Sequence, residues 1–181
     1  MPKIIKELRD KILFETKKEL DLVGYDSLKL RNIANKCNIA VGTIYNYFTS
    51  KEYLVACILG EDWKCILDDS LEKIKLSLNF DEVIKVIYEA ILSFYYKYKS
   101  LFESYSKTSD TTQTNFLSYH IMLRGQICEL IDCGLKIHSL NCGEEETKIS
   151  SELLLSCSMH QDIEFRLISK TIKKILEVNY E

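Results

Sequence analysis

The run NIAVGTIYNYFTSKEYL, from Asn38 to Leu54, decides how this chain folds. Three aromatic rings (Tyr45, Tyr47 and Phe48) fall within four residues, behind a single glycine, Gly42. Val41, Ile44, Tyr45 and Phe48 recur at helical spacing and predict a helix of about two turns. So short a helix cannot bury enough surface to stand alone, so it must be pinned on neighbours. Ser50 reads as the N-cap of a following helix, with Tyr53 where a capping box would place an acid.

Working outward, Leu30, Ile33, Ala34 and Cys37 predict a second short helix, broken at Asn38-Ile39. Before it, Tyr25-Asp26-Ser27 reads as a turn with Ser27 as N-cap, and Gly24 as the left-handed cap of a first helix over 3–22. That helix is marked by Ile5, Leu8, Ile12, Thr16 and Leu20. Three small helices, with a gap of about three residues between the second and third, have the spacing of a helix-turn-helix. On the other side, the helix opened by Ser50 is predicted to run to Leu78, bending near Gly60. Helices follow over Val83–Tyr105, Phe116–Leu140, 147–160 and 163–178. The polar run SKTSDTTQTN (106–115) reads as a loop. The expected fold is all-α: a helix-turn-helix head over 1–50 and a helical body over 51–181.

Composition agrees with a helical, globular chain. Of 181 residues 46% are hydrophobic, and there is one proline, Pro2. No apolar run approaches the ~20 residues that cross a bilayer, so a cytoplasmic location is expected. Seven cysteines without a CxxC pair read as buried thiols rather than a zinc or disulfide framework. The net charge of −3 is unevenly spread. Residues 1–51 carry ten Lys/Arg against six Asp/Glu, a net +4, and the remainder carries −7. A basic head on an acidic body points the head at an anion.

A helix-turn-helix places the leading half of its second helix in the major groove. Phosphate contacts supply affinity there and base edges supply specificity. In that frame Gly42 permits close backbone approach, Thr43 offers a hydroxyl and a methyl, and Tyr45 and Tyr47 reach for phosphates. Lys51 stands at the start of the next helix, facing a phosphate. Ile44 and Phe48 turn inward. Lys29 and Lys36 read as diffuse attraction.

The stretch GYDSLKLRNIANKCNIAVGTIYNYFTSKEYL (24–54) resembles the DNA-binding head of the TetR family of bacterial transcriptional regulators. The likeness rests on the G-Y turn, the I-A pair of the second helix and G-T-I-Y-x-Y-F-x-S-K-E, and spans residues 5–60. It implies a homodimer on a near-palindromic operator, acting as a repressor that a small ligand releases. It also implies that Gly42, Thr43, Tyr45, Tyr47 and Lys51 face DNA, that Arg31 reaches a base, and that Asn46 is a further candidate. Ala40 and Val41 depart from the family, which favours Ser and a polar residue there. Val41 is therefore expected to read thymine methyl groups in an A·T-rich operator.

For the body, the aromatic stripe Tyr88, Phe94, Tyr95, Tyr98, Phe102 and Tyr105 reads first as core. A ligand pocket is expected from Trp63, Ile66, Phe94, Tyr98, Phe102, Tyr119, His120 and Leu123. The segment LLLSCSM (153–159) is apolar nearly all round, and a second subunit is its expected cover, giving a homodimer through about 147–178. The alternative is a body that binds a protein partner rather than a small molecule. His120, His138 and His160 lack metal-ligand spacing, so no metal and no cofactor are expected. No nucleophile, paired carboxylates or phosphate loop suggests an enzyme.

Overall fold

A computed structural model of the chain describes residues 6–106, 110–159 and 163–177, excluding the side chains of 104–106, 110–120 and 159. Among the described residues there are helices and no strands. The helices are α1 (Lys6–Ser27), α2 (Leu30–Cys37), α3 (Val41–Tyr47), α4 (Lys51–Lys75), α5 (Phe80–Ser106), α6 (Asp110–Ile137), α7 (Glu144–Met159) and α8 (Phe165–Ile175). None is long and apolar enough to cross a membrane. By packing, the chain divides into Met1–Lys64 with Ser100–Tyr105, and Cys65–Lys99 with Ser106–Glu181. Helix α4 runs through both units.

In the first unit α1 packs on α2 and α2 on α3. Ile12, Leu20, Ile33, Ala34, Ile44, Phe48, Leu54, Val55 and Ile58 are all buried. Gly24 has φ 72° and ψ 173°. Its φ is positive but its ψ is extended, so it is not the left-handed helical cap expected. It is a swivel in a conformation essentially reserved for glycine, and the chain returns to helix and continues to Ser27. Ser27 is consequently no N-cap: Lys29 stands before α2, with no side-chain cap bond. Ser50 does cap α4, its hydroxyl accepting the Tyr53 N–H at 3.1 Å.

In the second unit α6 lies against α7 and α7 against α8. In its core Ile74, Val83, Ile87, Ile127, Ile131, Leu154 and Ile172 are each fully buried, with the aromatic side chains of Phe80, Phe94 and Tyr98 buried as well. Asn79 opens α5 by accepting the Glu82 N–H (3.0 Å), while the Glu82 carboxylate accepts from the Leu78 N–H (2.7 Å). The α5 carboxylate of Asp81 takes the Ser169 hydroxyl (2.7 Å) and the Lys173 ammonium (2.8 Å) of α8.

Further expectations need correction. Helix α4 ends at Lys75 rather than Leu78 and passes through Gly60 unbroken. The bend falls instead in α5 at Tyr98, whose φ of −113° and ψ of 15° leave the helical range. Residues 110–115 are helical rather than loop; weak propensities of Asp, Thr and Asn yield to tertiary context, and Asp suits a helix's first turn. In α7, Leu154, Leu155, Cys157 and Ser158 are already buried in the single chain, so α6 and α8 supply much of the cover assigned to a second subunit. Finally, of the seven cysteines, all free, only Cys37 and Cys157 are buried, and Cys65 is exposed.

Candidate nucleic-acid interface

The residues expected to face DNA lie on α2, on α3 and at the start of α4, all within the first unit. Asn38 makes the turn possible, adopting φ 59° and ψ 44°. This left-handed conformation is one that Asn tolerates better than most residues. Its N–H donates to the Asn35 carbonyl (3.1 Å) and that of Ile39 to Ala34 (3.0 Å), closing α2. Three residues later α3 begins.

Two residues seat α3. Ile44 is 0% and Phe48 1% exposed, each worth about 1.5–3 kcal/mol on full burial. The Arg9 guanidinium lies 5.6 Å from the Phe48 ring centroid, and the same side chain donates to Glu61 at 3.2 Å. With the inner face thus fixed, Gly42, Tyr45 and Asn46 are exposed, and Val41, Thr43 and Tyr47 half-buried. A Cβ added to Gly42 would meet nothing within 4 Å, so this surface is open to a close-approaching partner. Arg31 is exposed on α2.

Lys51 is less free than its place in the sequence suggests. Its ammonium donates to the Tyr25 carbonyl at 2.6 Å and sits 4.2 Å from the Tyr25 ring centroid. Burial pushes its pKa down. An ammonium has three donors, so the anchor leaves donors for an anion. The Tyr25 hydroxyl in turn donates to Glu52 at 3.0 Å. The Glu52 carboxyl lies below its ordinary pKa because of its own backbone N–H, then Ser50 and Tyr25.

Sequence reading missed this role of Tyr25, treating it as a turn residue; the G-Y pair itself was the available signal. It also misread Lys36, which is not diffuse charge. Lys36 is paired with Glu19 of α1, a carboxylate that also accepts from Asn32 at 3.0 Å. These bonds, led by Lys36, hold Glu19 below its ordinary pKa of 4.5. They lock α1 to α2 and so orient the helix-turn-helix.

The residues expected to line a ligand pocket are divided between the two units. Phe94 and Tyr98 are buried, with ring centroids 5.2 Å apart at 61°. Ile66 and Leu123 are half-buried in the same unit. Trp63, buried, and Phe102, half-buried, belong to the other unit. Tyr119, His120 and His160 lie outside the described side chains. His138 accepts or donates at 2.9 Å with the Ser77 hydroxyl, a structural pairing.

Residues 12–58 match the sequence model of the family described as bacterial regulatory proteins, tetR family. Over 61 residues the chain is 36% identical to the HTH-type transcriptional repressor KstR of Mycobacterium tuberculosis, covering 34% of this chain and 28% of that protein. The chain thus spans under a third of the length of the curated relatives it matches. Two solved structures share the fold: Salmonella enterica GusR, with TM-score 0.65 and 14% identity over 97% of this chain and 98% of that one, and the fatty acid degradation regulator FadR of Bacillus halodurans, with TM-score 0.58 and 16% identity over 99% of each. At such identities these two speak for the fold alone.

Proposed function

We propose that this chain, whose residues 12–58 match the tetR family of bacterial regulatory proteins, is a transcriptional repressor that binds double-stranded DNA as a homodimer and is released by a small molecule held in the body. The observation that carries this reading is the division of α3. Ile44 and Phe48 bind it to the head, leaving Gly42, Tyr45 and Asn46 outward. Arg31, Val41, Thr43, Tyr47 and Lys51 complete the DNA-facing set. Tyr45 and Tyr47 reach phosphates, Arg31 pairs with guanine, and Lys51 presents a charge already anchored on Tyr25.

Repression would work by geometry. A dimer must hold its two recognition helices about 34–36 Å apart to enter successive major grooves. Helix α4 belongs to both units, so an effector that favours one setting of α4 alters that stride. The coupling needs only a difference in effector affinity between the two settings. Within the second unit, Phe94 and Tyr98 would supply aromatic surface for such an effector, with Ile66 and Leu123 beside them in the expected set. The test is selection from a pool of random duplexes, followed by anisotropy titration across salt. Retention of a near-palindrome with a steep salt dependence supports the reading; indifference to duplex DNA in dilute buffer refutes it.

A further inference from the structure

The surface of α3 is unusual in its chemistry. The helix VGTIYNY carries no charged side chain. Its N-cap residue, Ala40, is exposed and makes no side-chain cap bond. Val41 is half-exposed directly behind it, then come the open Gly42 and half-exposed Thr43. The leading turn therefore offers the methyls of Ala40, Val41 and Thr43, and one hydroxyl. No carboxylate, amide or guanidinium is present until Asn46.

We infer that Ala40 and Val41 are specificity-determining residues that read the C5-methyl of thymine, so that the operator carries thymine opposite the leading turn of α3. The inference rests on the repressor reading of the head. In the major groove thymine is the one base that presents a methyl group. Every base edge there carries polar atoms, adenine N7 and N6 and thymine O4 as much as guanine N7 and O6 or cytosine N4, so the thymine methyl is the one feature that the methyls of the leading turn can distinguish.

The test removes the methyl and nothing else. Duplexes recovered by random selection are remade with each thymine in turn replaced by deoxyuridine, and titrated with the full chain. In every half-site one or two positions weaken wild-type binding by about threefold to fivefold, the worth of one buried methyl. In Val41→Ala the penalty at one such position disappears, while sensitivity to the other thymines persists. Deoxyuridine leaves the protein unaltered, so a fold defect cannot mimic the wild-type result. Bound duplexes with G·C pairs at the leading turn, or deoxyuridine effects below twofold throughout, overturn the inference and leave the repressor reading intact. Equal penalties in wild type and Val41→Ala likewise overturn it. Failure to retain any duplex overturns both.

Discussion

Lys51 joins an internal anchor and an external charge in one side chain. The carbonyl of Tyr25 accepts a hydrogen bond from its ammonium, and the ring of Tyr25 lies beneath it. In Lys51→Ala, binding to every duplex should weaken alike, and the slope of log affinity against log salt should fall by about one. Anisotropy titrations at several salt concentrations measure both; an unchanged slope removes Lys51 from the phosphate contacts. Glu19 acts through a proton instead. Its folded pKa lies below 4.5 because Lys36 and Asn32 bond the carboxylate. Its stabilising share is therefore complete above pH 4.5 and is lost as pH falls through the lower folded value. Thermal melts of wild type and Glu19→Gln should differ most at neutral pH and converge in acid. Divergence in acid would contradict the sign.

At the scale of the helix, two glycines do different work. Gly24 needs its freedom of backbone, with φ 72° and ψ 173° and open space around it. Gly24→Ala is expected to cost about 1–3 kcal/mol through conformation alone. Gly134, on α6, needs the absence of a side chain. A Cβ there would overlap the γ-methyl of Val83 on α5. Valine is stiff at χ1, so the neighbour yields poorly, and Gly134→Ala should destabilise by about 1–3 kcal/mol through overpacking. Denaturant melts check both. If Gly134→Ala proved neutral, α5 and α6 would lie farther apart than they do here.

At the scale of the whole molecule, the question is what a second copy would cover. The charges at the start of α7 and the end of α8 are largely satisfied within the chain, Glu144 and Glu145 by Lys148 and Lys173 by Asp81. Ile149 on α7 and Leu167 on α8 remain 55% and 58% exposed. In the proposed dimer these exposed apolar side chains would be what a second copy covers, α7 of one copy meeting α8 of the other. Leu167→Asp alters an exposed position, so the monomer should keep its fold. The dimer dissociation constant should rise by about tenfold or more, as read by sedimentation, and affinity for a two-half-site duplex should fall with it. A wild-type chain that sediments as a monomer would remove the premise.

Local sequence settled the helical class, the placement of α2 and α3, the inward turn of Ile44 and Phe48, and the Ser50 cap. Each follows from spacing or hydrogen-bonding capacity within a few residues, which the chain carries wherever it folds. The tertiary structure alone decided what depends on residues far apart in sequence. Lys51 meets Tyr25 and Lys36 meets Glu19 across a turn that no periodicity encodes. The polar residues 110–115 became helical although their propensities favour a loop, and Leu154, Leu155 and Cys157 of α7, against which α6 and α8 pack, are buried within the single chain. Burial and ion pairing are properties of neighbours in space, and only packing says which neighbours those are.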